Sequence, residues 1–196
     1  MSKKIFILLG HPDVDSFNST LASEYQRGAE EGGHEVRRMN IGEMKFDPIL
    51  HHGYRLMQEL EPDLVTFQEN MRWCNHFVIF YPSWWSTMPA LLKGLFDRVW
   101  LPGFAFNFTS EFSWKKLLKG KSALMVITSD TIPFIQRLIF GDTTNELKKG
   151  ILWFAGFGPI RVKKFGYFKH CGWLNLGMWW REHIKRKVFS FGRKAK

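Results

Sequence analysis

The chain has 196 residues, enough for one domain with a full core and too few for two ordinary domains joined by a linker. Apolar residues make up 45% and charged residues 23%, which excludes a disordered, collagen-like or coiled-coil chain. The net charge of +10 sits at one end: residues 1–160 hold 17 Lys and Arg against 17 Asp and Glu, whereas residues 161–196 hold 11 against Glu182 alone.

Residues 4–9 form a continuous apolar run that stops at Gly10, the pattern of a strand buried on both faces of a parallel sheet. Phe17, Leu21, Tyr25 and Ala29 follow at helical spacing behind the candidate caps Asp15 and Ser16, and Gly32-Gly33 closes that helix. Residues 35–39 predict a second strand, and a helix over about 62–73 leads into a third at residues 76–81. The next helix, 89–100, carries Leu91, Leu92, Leu95, Phe96 and Val99 on one side and Lys93, Asp97 and Arg98 on the other. Strands at 122–128 and 159–165 complete the alternation. It predicts a doubly wound α/β fold, five parallel strands in the order 2-1-3-4-5 with helices on both faces. A last helix starts near Trp173, with Trp173, Leu176, Gly177, Trp180, Ile184 and Val188 on one side and Arg181, Lys185, Arg186 and Lys187 off it. The chain reads as one domain, 1–196, ending in a basic helix and tail over about 173–196.

No apolar run reaches the ~18 residues of a membrane span, and the first one is too short for a signal peptide, so a soluble cytoplasmic protein is expected. Cys74 and Cys171 have no metal-ligand spacing, and His51-His52, His76, His170 and His183 form no metal pattern, so no metal is expected.

In such a sheet, ligands bind beyond the carboxyl ends of the strands, which directs attention to three loops. The first, residues 10–18, joins a buried strand to a helix N-terminus, where unpaired N–H groups favour an anion. It lacks G-x-G-x-x-G and a Walker lysine, but His11, Ser16 and Asn18 supply polar side chains. They either hold a phosphate or merely cap the helix and complete the loop. The second, Tyr81-Pro82-Ser83-Trp84-Trp85-Ser86-Thr87-Met88-Pro89, sets two adjacent indoles between prolines, suited to a planar ligand and equally to a core or dimer contact. The third, Thr128-Ser129-Asp130-Thr131, offers hydroxyls and backbone N–H groups to a ring edge that gains charge on reduction, or forms a simple Asx turn.

The ordered set extends through His11-Pro12, Ser16-Phe17-Asn18, Phe46-Asp47-Pro48, Tyr81-Pro82 with Trp84-Trp85, residues 88–94, Asp97-Arg98-Val99 and residues 102–106. Over about residues 4–168 it resembles the flavodoxin-like NAD(P)H:quinone oxidoreductases, the DT-diaphorase-like flavoproteins, in their short bacterial branch. The resemblance implies a flavodoxin-like domain and a homodimer, with a flavin at each of two sites across the interface, FAD ahead of FMN; the aromatics of residues 102–108, expected to be exposed in a single chain, also favour a dimer. His11, Ser16, Phe17 and Asn18 would hold the flavin phosphate region. Pro82, Ser83, Trp84 and Trp85 would lie along the isoalloxazine, and Thr128, Ser129 and Asp130 would approach its pyrimidine edge. The implied reaction is ping-pong hydride transfer, in which NAD(P)H reduces flavin N5 and a quinone or similar acceptor then takes the hydride. Trp85, Thr128, Ser129 and Asp130 lie nearest the chemistry, with no acid or base assigned. Mammalian members carry a Tyr and a His near the flavin where a gap-free count places Phe134 and Phe140, and their twin glycines are replaced here by Asp130-Thr131.

A rival expectation is a flavin-binding ancillary subunit of a membrane transport system, with peripheral membrane association through the basic C-terminal segment. Against it, the Trp and Ile stripe can cover the sheet and leave Lys and Arg solvated. No recognition motif accompanies the basic stretch, so nucleic acid is not an expected partner.

Overall fold

The computed structural model describes residues 2–166 and 176–195; the expected helix start at Trp173, with His170 and Cys171, lies outside the described residues. Strand β1 (Lys4–Leu9) is buried at every position but Lys4, as its unbroken apolar run requires. It pairs in parallel with β2 (Glu35–Asn40) on one side and β3 (His76–Pro82) on the other. Beyond β3 come β6 (Ser122–Thr128) and β7 (Ile160–Phe165), also parallel, giving the order β2-β1-β3-β6-β7. This is the expected 2-1-3-4-5, with a hairpin, β4 (Phe106–Ser110) and β5 (Ser113–Lys116), inserted in the chain between the third and fourth sheet strands.

Strand alternation sorts the core into two layers. Ile5, Ile7, Leu9, Val78, Phe80, Leu124 and Val126 meet α1 (Phe17–Glu31) and α5 (Leu176–Arg193). Phe6, Leu8, Phe77, Ile79, Met125 and Ile127 meet α2 (Pro62–Trp73), α3 (Ala90–Val99) and a π-helical segment, Glu146–Trp153. Helices α1 and α5 touch backbone to backbone. A Cβ on Gly28 would lie 2.1 Å from the Phe189 carbonyl oxygen, and one on Gly192 would lie 2.1 Å from that of Tyr25. Ile184 and Val188 are buried while Arg186 and Lys187 are exposed, so the basic helix covers the sheet with its apolar stripe. Among the described residues no helix is long and apolar enough to cross a membrane.

Three departures from the expected pattern have physical causes. Arg98 is not on the solvated side of α3: it is 1% exposed. Its Nη2 donates to Glu61 Oε2 at 2.7 Å and to the Glu59 carbonyl at 2.6 Å, and its Nη1 donates to the Asp47 carbonyl and to Glu61 Oε1. The charge is buried because two carbonyls and a carboxylate receive it, and it thereby ties the 47–61 loop to α3. Phe104 is not an exposed aromatic of the 102–108 segment; it is buried edge-on against Trp100, while Phe106 leans on Phe154 and only Phe108 stays largely exposed. A further helix, α4 (Pro133–Phe140), follows β6, with Gln136 its buried residue and Phe134, Leu138, Ile139 and Phe140 exposed.

Partial burial opposes ionisation of Glu61, but the Asp47 amide and the Arg98 guanidinium outweigh it and hold the carboxyl below the ordinary glutamate value. A depressed folded-state pKa gives stability that is present above the unfolded value and is lost as pH falls through the folded one. Arg98→Ala should therefore cost about 3 kcal/mol at neutral pH in urea denaturation, and the loss should shrink below about pH 4. Arg98→Lys should restore little, because an ammonium cannot span the same acceptors. A loss under about 1 kcal/mol would show that the loop is held otherwise.

Candidate functional site

Because β1 pairs on both sides, the loops leaving β1 and β3 diverge at their carboxyl ends, to α1 on one face and α3 on the other, which leaves a crevice there. On its first wall, Ser16 caps α1, its Oγ accepting from Ser19 N at 3.3 Å. The first turn of α1 holds no acidic side chain, so the helix N-terminus keeps its attraction for an anion. His11 Nδ1 lies 2.9 Å from Asp13 N, and its ring meets Trp84 edge to face at 5.5 Å between centroids. Phe17 is half-buried, with the Arg181 guanidinium 5.3 Å from its ring centre.

Asn18 is the informative residue. It is 4% exposed, its Nδ2 donates to Thr128 Oγ1 at 2.8 Å, and its Oδ1 has no partner. This bond links the first and third loops across the end of β3. A buried amide oxygen without a donor is costly, about 1–3 kcal/mol. The Thr128 hydroxyl can donate as well as accept, so the amide can turn over, accept from Thr128 and present Nδ2 in place of the orphaned oxygen. An oxyanion at the end of α1 would favour that arrangement.

The second wall is a tight turn. Trp84 N donates to the Thr87 carbonyl at 3.0 Å and Thr87 N donates back at 3.1 Å, while Trp85 and Ser86 between them take φ of 50° and 65°. Two left-handed residues make a primed hairpin turn, which glycine or asparagine would occupy at lower cost. Trp85 is 99% exposed, so no protein contact holds the indole there. Thr87 Oγ1 donates to Glu146 and thereby ties the turn to the π-helical segment. Pro82 is buried at the end of β3, and Ser83 N donates to the Thr128 carbonyl at 2.7 Å while Ser83 Oγ accepts from Gln136 Nε2 at 3.0 Å. Tyr81, just inside, has its phenol raised far above its ordinary range, first by burial and then by Glu146 and Asp142, so it remains neutral.

On the third wall, Ser129 N donates to the Phe165 carbonyl at 2.9 Å and Ser129 Oγ donates to the Thr131 carbonyl at 2.8 Å. Asp130 is exposed and α4 begins three residues later. All three predicted loops thus meet at one edge of the sheet. Gln136, which anchors α4 to Ser83, and Glu146, which anchors the Trp84–Thr87 turn, were missed by sequence reasoning. Neither lies in a motif, and only the fold brings them there. None of the three loops lines the cavities of about 600 Å3 beside Trp100 and about 630 Å3 beside Trp153, although Glu146 stands in the wall of the first. Among the described residues no group of His, Cys, Asp and Glu could hold a metal ion.

Comparison with known proteins places this edge in context. Residues 3–167 match the family described as having a flavodoxin-like fold, and the chain belongs to that family. It is 32% identical over 171 residues to an uncharacterized NAD(P)H oxidoreductase of Haemophilus influenzae, covering 82% of each chain. It is 28% identical over 180 residues to NAD(P)H dehydrogenase (quinone) 1 of Cavia porcellus, covering 79% of this chain and 65% of that longer protein. Among solved structures it superposes on an NAD(P)H:quinone oxidoreductase from Methanothermobacter marburgensis with a TM-score of 0.82 at 22% identity, covering 100% and 97% of the two chains. An FMN-dependent NADH-azoreductase from Bacillus anthracis, in complex with FMN, shares the fold at a TM-score of 0.70 and 16% identity, covering 96% and 98%.

A tryptophan held at positive φ in full solvent contributes little to folding. Trp85→Gly should therefore raise stability or leave it unchanged, by up to about 1–2 kcal/mol in urea denaturation, since glycine takes that φ without strain. A loss above about 1 kcal/mol would show that the indole is a packing residue.

Proposed function

We propose that this chain is a flavin-dependent NAD(P)H oxidoreductase of the quinone-reductase type, with its cofactor in the crevice beyond β1, β3 and β6. The enzyme class rests on the relatives named above. The observation in this molecule that supports the cofactor is the Asn18–Thr128 bond with its orphaned amide oxygen beside the α1 N-terminus. A flavin phosphate fits that position, because it would accept from the turned amide and from the helix.

In this reading Ser16, Phe17, Asn18 and His11 bind the phosphate end of FAD or FMN. Pro82, Ser83, Trp84 and Trp85 orient the ring from one side, and the Thr128–Asp130 backbone and hydroxyls accept its polar edge. The flavin supplies hydride-accepting and hydride-donating capacity when bound. The strained turn sets the Trp84 and Trp85 indoles where flat surfaces exclude water, and the exposed apolar side chains of α4 border the same edge, suited to an apolar acceptor such as a quinone. Phe134 and Phe140 carry no ionisable proton, and Tyr81 holds its own too firmly to release it near neutral pH. Alternating occupation by NAD(P)H and acceptor follows from having one open edge for both. A homodimer fits the openness of that edge in the single chain and the large exposure of Phe108, Phe112 and α4, surfaces that a partner would cover.

The purified protein should carry a visible flavin absorption. Ser16→Ala combined with Asn18→Ala should weaken flavin retention at least tenfold, at roughly 1 kcal/mol or more per charge-assisted bond. A folded double variant with unchanged flavin affinity would remove this loop from the site. In stopped-flow measurements, hydride delivery from NAD(P)H should be nearly flat from about pH 6 to 8, because no acid or base is assigned to the step. A steep profile would reveal one. Trp85→Ala should slow the same step by ten- to a hundredfold through loss of ring positioning, and an unchanged rate would dismiss the indole.

A further inference from the structure

At the opposite end of the sheet, between its edge and the cover of α1 and α5, lies a cavity of about 370 Å3. It is lined by Tyr25, His76, Leu124, Arg161, Lys163, Ser190, Phe191, Lys194 and Ala195. Its charge follows from strand alternation on β7. Ile160 and Val162 pack on the α2 and α3 side, so Arg161 and Lys163, opposite Leu124 and Val126, turn to the other face beneath α5. Inward-pointing charges on an edge strand guard against sheet extension, which accounts for one lysine or arginine there. It does not account for what accompanies them.

Three cations line the space with no Asp or Glu among the lining residues, and among the described residues no carboxylate forms an ion pair with Arg161, Lys163 or Lys194. Tyr25 comes from α1 and is fully buried, yet its hydroxyl has no hydrogen-bond partner. Burial holds that phenol well above its ordinary pKa, so it remains a donor. His76, whose Nδ1 lies 2.7 Å from Ser122 Oγ, is depressed to about 4, first by burial and then by the neighbouring cations Lys3 and Arg161 and by His34. The remaining wall, Leu124, Phe191 and Ala195, is apolar.

We propose that this cavity is a binding site for a small oxyanion, a phosphate or carboxylate free or carried on a compact apolar body, with Arg161, Lys163 and Lys194 neutralising its charge and the Tyr25 hydroxyl donating to it. Arg161, Lys163 and Lys194 reach solvent at the mouth, and the Lys163 ammonium lies 5.4 Å from the centre of the Phe191 ring. An unpartnered buried donor together with three cations that no described carboxylate pairs is the complement of such a ligand. The cavity exceeds the volume of a phosphate group and has room for a small ring beside the apolar wall. The site is separate from the crevice holding Asn18 and does not depend on what that crevice binds.

The test is calorimetric titration of the full purified protein with inorganic phosphate, phenyl phosphate, benzoate and, as a neutral control, phenol. One saturable site for at least one of the three anions is expected. Tighter binding of phenyl phosphate than of inorganic phosphate would mark an organic ligand, and equal binding a free oxyanion; both support the site. Arg161→Gln with Lys194→Gln should weaken binding at least tenfold, and Tyr25→Phe, which removes one oxygen and keeps the ring, about fivefold. Neither change should alter retention of any ligand in the other crevice. In the wild type, bound anion should move the His76 ring titration upward, read by NMR. Absence of saturable binding, phenol binding as tightly as phenyl phosphate, indifference to the Arg161 and Lys194 changes, or an unmoved His76 would each overturn the proposal.

Discussion

Strand β1 is hydrogen-bonded in parallel on both sides, and the rest of the molecule is arranged around that fact. A parallel strand cannot be reached by a tight turn, so each neighbour requires a crossover helix, and α1 and α2 must lie on opposite faces. Both faces of β1 are then covered, which explains its unbroken apolar sequence, and the chain must part at its carboxyl end. The crevice is a consequence of connectivity, and the side chains around it only decide what it holds. Asn18 and Thr128 bridge it at its floor, so the separation of the first and third loops is fixed by a side-chain bond.

Much of the frame was legible in the sequence because burial on two faces and on one face leave different patterns. Residues 4–9, 76–81 and 122–128 read as double-sided strands and proved to be so, and the α2 limits follow from Pro62 and the apolar spacing up to Trp73. Arg98 was misplaced because a helical pattern assigns charge to solvent by default. Only the distant Glu61 and the Glu59 and Asp47 carbonyls make its burial tolerable. The β4–β5 hairpin gave no Asn-Gly or Asp-Gly signal, and α4 is only eight residues long and leaves Phe134, Leu138, Ile139 and Phe140 exposed, so no core burial marks it. The residues proposed for the site stood out as ordered strings resembling a family. Their geometry was not: nothing in Trp84-Trp85-Ser86 announces two left-handed residues, since those residue types avoid that conformation when local preference alone decides.

The charge asymmetry of the chain also resolves into structure. Part of the excess lies on the outer side of α5, where Lys185 pairs with Glu182 and Arg186 and Lys187 meet solvent. Another part, Arg161, Lys163 and Lys194, lines the cavity at the amino end of the strands. The two ends of the sheet therefore differ in kind. One offers a helix terminus, a strained aromatic turn and an orphaned amide, while the other offers cations around an orphaned phenol. Two of the three buried side-chain polar atoms without a partner among the described residues lie at these two places, where ligand contacts can offset them; the third, Arg98 Nε, belongs to the contact between α3 and the 47–61 loop.

A structure of the protein crystallised with FMN or FAD tests the central claim most directly. The account predicts the flavin phosphate at the start of α1 within hydrogen-bond reach of Asn18, its ring between the Trp84–Thr87 turn and the Thr128–Asp130 segment, and the Asn18 amide turned over against Thr128. A flavin seated in the cavity beside Trp100 or Trp153, or crystals that take up no flavin at saturating concentration, would contradict it.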